Sequence, residues 1–474
     1  MRKHIWFLCV SSLLAVIMGL LILNGSRTAF GIVSLIFVAL LLGGLIFKAG
    51  LKKIDKYILY FIVASIPFPY LLQFSGRDAL TVTTIIIYFL FMIIILRHPF
   101  ERKYLTLEPK FAFILPTLIF VCLTVSFVLN PYFIGQSLRY YIANISGILL
   151  YFIILSTIKD GSDVVTIIKI ILFTLVLESG IVLLVYKFPA VEKYLEIFNP
   201  RVPTVEFSAR EEIIRSIGTV WDYELLAEWF LVGSILSIGL FYNFKKHVYI
   251  FSLFCCLAGI IFTVTRSAFF LLIAGLALIL TLVNILKKDS KWSTVKIILL
   301  LFLSCIVLFF VFPEQIGGLA RRLEIYFRHS NLFSPEAIDR RETWKGAFRN
   351  FLKEPTLFGK GIYNVDSFYY SAESFHSLYF TMLYKIGILG LVIHSVFWLR
   401  MLYESWRVLI AKNKHGNWYI VFFLFISVIL ILIDGIKIEY LRYGHTIQFA
   451  WLIYGLLIVS IKQSRENNEN IMVP

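Results

Sequence analysis

The sequence predicts an all-α fold: a polytopic membrane bundle of about 12 to 14 spanning helices, with a long extracytoplasmic loop that contains short helices. Three observations carry this expectation. Of 474 residues, 59% are hydrophobic and 17% aromatic, whereas only 16% are charged, far from the make-up of an ordinary soluble domain. The apolar residues gather in about fourteen runs near the roughly 20-residue length that crosses a bilayer as helix, which argues against a soluble core and an outer-membrane barrel. The breaks between runs, such as Asn24-Gly25-Ser26 and Gly76-Arg77-Asp78, have turn chemistry.

In chain order the expected spans are 5–23, 29–47, 57–74, 79–96, 111–129, 138–157, 164–186, 224–243, 247–265, 267–286, 294–312, 377–403, 418–435 and 445–461. The first follows Arg2 and Lys3, but it is long for a signal sequence and no small-x-small cleavage site follows, so it is expected to be retained. Lysine then sets the topology. With the N-terminus in the cytoplasm, alternate loops hold Lys48, Lys52, Lys53 and Lys56, then Arg97, Arg102 and Lys103, then Lys245 and Lys246, then Lys287, Lys288 and Lys291. An even helix count returns the polar tail to the same side, so the protein is expected in the cytoplasmic membrane with both termini inside.

The expected organisation is an N-terminal bundle (1–186), a first extracytoplasmic segment (187–223), central helices (224–312), a large extracytoplasmic loop (313–376), C-terminal helices (377–461) and a cytoplasmic tail (462–474). A patterned helix is expected within the large loop, over 337–352. The net charge of +16 reflects short loops between spans rather than one basic face, so no nucleic-acid partner is implied. Cys9, Cys122, Cys255, Cys256 and Cys305 all lie in apolar runs without metal-ligand spacing, and no disulfide framework or metal site is expected. No Walker loop, HExxH or GxGxxG after a strand is present, and no cofactor is expected.

The outer segments are rich in arginine, including Arg215, Arg266, Arg340 and Arg341. The planar guanidinium matches phosphate oxygens two at a time and stays charged when partly desolvated. Arg215 opens RSIGTVWDYELLAEWF, where an interfacial anchor role for the arginine and aromatics is the plain alternative. Arg266 sits in TVTRSAFF between two apolar runs with almost no loop, where it either snorkels or pairs. Arg340 and Arg341 precede Trp344 in RRETWKGAF, whose aromatics at helical spacing also suit packing onto the bundle. His376 opens the helix of SFHSLYF ahead of Lys385-Ile386-Gly387-Ile388-Leu389-Gly390, and a lone histidine is otherwise an ordinary solvated side chain. Glu178 and Glu228 lie within spans and read as structural, with Arg139 or Arg266 as conceivable partners for burial.

In this order, Arg-x-x-Gly-Thr, Thr-Arg, Arg-x-x-x-Trp and His followed by Gly-Ile-Leu-Gly resemble the O-antigen ligase and O-antigen polymerase family of bacterial surface-glycan assembly. The chain departs from the family pattern at Trp221-Asp222-Tyr223 and at Ser377. The resemblance implies a glycosyltransferase at the outer face of the cytoplasmic membrane, using an undecaprenyl-diphosphate-linked glycan donor and a glycan or lipid acceptor among the membrane lipids, alongside other polysaccharide-assembly proteins. It implies His376, Arg266 and Arg215 as catalytic side chains and Arg340, Arg341 and Trp344 as substrate-binding ones. The lack of a paired Asp-x-Asp on an outer loop suits metal-independent transfer. Polymerase is favoured over ligase on the span count, and a flippase for lipid-linked glycans is the alternative of another class.

Overall fold

The computed structural model describes residues 54–68, 81–97, 109–130, 134–188, 205–208, 213–216, 218–220, 222–286, 310, 312–328, 344–346, 348–349, 351–362, 377–411, 418–438 and 443–472. Twelve helices and one hairpin are traced among them: α1 (Ile54–Ser65), α2 (Val82–Arg97), α3 (Phe111–Leu129), α4 (Ile134–Thr157), α5 (Gly161–Lys187), β1 (Val205–Ser208), β2 (Ile213–Ser216), α6 (Tyr223–Phe244), α7 (Val248–Thr263), α8 (Arg266–Leu286), α9 (Pro313–Arg328), α10 (Leu378–Ile410), α11 (Trp418–Asp434) and α12 (Gly444–Met472). The expected spans 5–23 and 29–47, and 294–312 apart from residues 310 and 312, lie outside the described residues.

The chain is an all-α integral membrane protein. Among the described residues, seven helices are long and apolar enough to cross a membrane, including Phe111–Leu129, Tyr223–Phe244 and Leu378–Ile410, and three shorter apolar helices accompany them. Helix α6 forms the centre. It is buried without a gap from Leu225 to Leu240, Glu228 included. Helices α5, α7, α8 and α11 pack around it, while α12 lies along α4 and α10 along α3. Small residues allow the close approaches: a Cβ at Gly147 would stand 2.6 Å from Ile447 and Trp451 of α12, and one at Gly239 would stand 2.7 Å from the Phe423 ring of α11.

Two departures from expectation have local causes. The 187–223 segment holds an antiparallel hairpin, with Glu206 opposite Arg215 and Val205 opposite Ser216, because short runs of β-branched and apolar residues flank the polar Ala209–Glu212 link. Helix α12 continues to Met472 through the polar tail, whose Lys462 and Glu466 face each other at 3.7 Å one turn apart.

The third departure lies inside α10. Gly387 has φ 74° and ψ −175°, a conformation open essentially to glycine alone, and it interrupts the helix. A break exposes backbone groups that have no water to turn to at membrane depth, so every one needs a partner. The turn from Thr356 to Gly361 supplies them. The Ile388 N–H donates to the Thr356 carbonyl (3.3 Å) and the Leu389 N–H to the Leu357 carbonyl (3.1 Å). The carbonyls these amides would have used in a continuous helix are also taken: Lys360 N–H donates to Tyr384 (2.8 Å), and the Ser126 hydroxyl of α3 donates to Lys385.

Candidate functional site

The starts of α6, α8 and α10 meet at one end of the bundle. Asp222 accepts from the N–H groups of Glu224 (2.8 Å) and Leu225 (3.2 Å), so the departure from the family's polar turn still leaves a strong N-cap on α6. Immediately before it, Gly218 turns the chain with φ 59°, and Thr219 is drawn into the bundle. Its N–H and hydroxyl donate to the buried Glu178 carboxylate at 2.5 and 2.9 Å, and its hydroxyl also lies 2.7 Å from the Pro67 carbonyl. Glu178 is therefore met by a threonine of the Arg-x-x-Gly-Thr motif; no pairing of it with Arg139 or Arg266 is seen among the described residues. This anchor fixes the chain four residues beyond Arg215, whose backbone lies in β2, and β2 packs against α7.

Arg266 opens α8, half-buried, directly after a turn in which Val264 holds φ 49°. A β-branched residue in the left-handed region is strained, so packing has to hold it there. Val264 is buried against Leu319 of α9 and Phe269. Helix α9 is in turn seated by the Tyr186 hydroxyl, which donates to Glu314 (3.2 Å), and by Phe312 edge-on to Phe262. The adjacent Thr265 hydroxyl reaches the Tyr223 carbonyl at 3.4 Å, joining the Arg266 turn to the start of α6.

Lys437, three residues beyond the end of α11, completes the junction. Its ammonium donates to Glu224 (2.9 Å) and to Ser267 (3.1 Å), one residue from Arg266. Two residues before it, the Gly435 carbonyl accepts from the Leu378 N–H (2.8 Å) at the start of α10. The Tyr379 hydroxyl adds a bond to the Leu432 carbonyl (2.7 Å). The starts of α6, α8 and α10 are thus tied together through the 435–437 link.

His376, Arg340 and Arg341 lie outside the described residues; Ser377 and Leu378, which follow His376, are buried. Trp344 is described, and it stacks on Phe380 of α10 with centroids 5.6 Å apart and planes at 26°. That contact holds the loop onto the half-helix before the Gly387 break. At the other end of that half-helix Lys360 pins the turn by its ion pair with Glu354 (2.8 Å), and this bond holds the exposed Glu354 carboxyl below its ordinary range.

Sequence reasoning missed Lys437, Ser267 and Glu224, which carry the inter-helix ties, and Asp434 beneath them, which lies near the Glu228 it had read as structural. Both carboxylates are buried, and neither oxygen of Glu228 has a hydrogen-bond partner among the described residues. The spacing of Glu224 and Glu228, one helical turn apart on α6, was the available signal.

Arg266 at the start of α8, one residue from the Ser267 that Lys437 reaches, makes this end of the bundle suited to an anionic group at a membrane boundary. No curated protein matches the chain. A family model described as O-Antigen ligase matches residues 251–395, a stretch that runs from α7 through the Arg266 turn, the Trp344 segment and the Gly387 break of α10. The resemblance read from the motifs is borne out over this stretch, which is similar to the O-antigen ligase family.

Proposed function

We propose that the protein is a membrane glycosyltransferase that lengthens a surface polysaccharide from an undecaprenyl-diphosphate-linked glycan at the outer face of the cytoplasmic membrane. The observation that supports this best is the tying of the Thr219–Glu224 segment, the Arg266 turn and the Ser377–Leu378 start of α10 to one link, 435–437, at one end of the bundle. Each of these segments adjoins one of the three implied catalytic side chains.

In the proposed reaction the acceptor hydroxyl oxygen bonds to the anomeric carbon of the donor glycan as the bond from that carbon to the diphosphate oxygen breaks. The hydroxyl proton passes to the neutral imidazole of His376. The electron pair leaves on the lipid diphosphate, whose growing negative charge Arg215 and Arg266 stabilise, the electrostatic contribution that usually dominates such steps. Arg340, Arg341 and Trp344 bind sugar. The lipid tail stays among the helices, so the donor never crosses water.

A purified protein supplied with lipid-linked oligosaccharide forms a ladder of products on the lipid carrier if it polymerises. A single jump in acceptor mass identifies a ligase, and movement of donor between leaflets with no new glycosidic bond identifies a flippase. His376→Ala abolishes the ladder while the protein remains folded; an unchanged ladder removes His376 as the base.

A further inference from the structure

We infer that the opposite end of the bundle carries a site for an anionic glycerophospholipid, formed where α10, α12 and the start of α3 meet. Glu404 of α10 is buried, its side chain 2% exposed, and three arginines converge on it. Arg400 approaches at 2.7 Å and Arg407 at 3.5 Å from the same helix, while Arg465 of α12 is hydrogen-bonded to it. Arg400 and Arg407 together set two positive charges against a single carboxylate that Arg465 also shares. The two α10 guanidinium groups carry about ten N–H donors against the roughly four lone-pair sites of that carboxylate, so donors outnumber the acceptor. Arg400 and Arg407 are 49% and 57% exposed against 33% for Arg465, so the two α10 guanidinium groups are open to a ligand.

What lies beside them identifies the ligand class. Along α10, Val392, Val396, Leu399 and Tyr403 repeat at one helical face, all exposed, and the row ends at Arg400 and Arg407. Helix α3, packed alongside, exposes Ile114, Leu118 and Val121, and the Arg400 guanidinium lies 5.8 Å over the ring of Phe111 at its first turn. A free phosphate would use the charge but not the two apolar rows. A phospholipid uses both, with its phosphodiester among the arginines and its acyl chains along α3 and α10. The buried carboxylate keeps the guanidinium groups apart and aimed, so the site is formed before the lipid arrives. This site is independent of the transferase proposal, since its residues lie on the far ends of the same helices.

The test uses the full-length protein in vesicles of phosphatidylcholine, with or without phosphatidylglycerol. Phosphatidylglycerol is expected to bind in preference to phosphatidylcholine and to raise the unfolding temperature. In Arg400→Gln/Arg407→Gln that preference falls by about 30-fold, the loss expected for two basic groups at an anionic surface. Arg400→Lys/Arg407→Lys retains most of it, because the charge is kept. If the double glutamine variant fails to fold, Arg407→Gln alone serves, since Arg407 is the most exposed of the three and the weaker of the two α10 contacts. A preference for phosphatidylglycerol that is undiminished in the glutamine variants overturns the site. Equal stabilisation by inorganic phosphate or glycerol phosphate overturns the lipid assignment.

Discussion

Lys437, in the turn after α11, lies 2.9 Å from Glu224 of α6 and also reaches Ser267, so one ammonium holds together the starts of α6 and α8 beside the proposed diphosphate. The pair is partly shielded, with side chains 30% and 17% exposed. Removing either member is expected to cost about 1 kcal/mol of stability, the upper range for ion pairs that water still reaches. If Lys437 acts by holding the two helix starts, Lys437→Gln and Glu224→Gln reduce transfer to the same extent, and the double variant is no worse than either. A Lys437→Gln loss well beyond that of Glu224→Gln would instead mean that the ammonium touches the diphosphate. Thermal unfolding and initial transfer rates on the three variants decide it.

Thr219 joins the hairpin that carries Arg215 to the interior through Glu178 and Pro67. Thr219→Val keeps the shape but leaves the buried carboxylate with one donor fewer, a loss of about 1–3 kcal/mol. Thr219→Ser retains the hydroxyl and is expected to stay near the parent in both stability and rate. Gly218→Ala would place a Cβ against the Glu178 carboxylate and 3.0 Å from Leu226 at a positive φ, so it is expected to reproduce the valine phenotype. Unfolding temperatures that do not separate valine from serine at position 219 would refute this anchor.

The Gly387 break is the most exacting backbone feature. A Cβ there would strike the Leu357 carbonyl, and one at Gly359 would strike the Lys385 carbonyl, so neither glycine has room for a side chain. Gly387→Ala is expected to cost about 3 kcal/mol or more, from a conformation alanine avoids and from the displaced turn. Gly317 is the counter-example: it lies within α9 with open space around it, and Gly317→Ala is expected to stabilise by about 0.5–1 kcal/mol through helix propensity. Parallel thermal melts of the two variants should move in opposite directions.

These features differ in how far they were legible beforehand. Spans such as 111–129 and 224–243 coincide with α3 and α6 to within a residue or so, because a run of apolar side chains that must avoid water marks its own ends. Gly387 stood out in the sequence, within Lys385-Ile386-Gly387-Ile388-Leu389-Gly390. Its meaning did not, because the break is satisfied by a turn about 24 to 32 residues upstream, and periodicity within α10 carries no trace of it. Lys437 lies in a short connection between apolar helices, where a lysine reads as topology. Only the packing of α6, α8 and α11 gives it Glu224 and Ser267 as partners. The hairpin was missed because two four-residue strands are too short to show alternation.

Trp344 has two roles to separate, sugar binding and attachment of the loop to α10. Its stack on Phe380 favours attachment at the described contact, and an offset aromatic pair contributes about 0.5–1.5 kcal/mol beyond simple burial. Trp344→Ala and Phe380→Ala should then weaken the protein through one shared interaction, so the double variant costs less than the sum of the singles by about that amount. Their kinetics separate the roles further. Loss of attachment lowers kcat in both variants, since the half-helix after His376 loses its support. Loss of a sugar contact raises KM in the Trp344 variant alone, and Trp344→Phe, which keeps the stack, restores kcat only if attachment is the function.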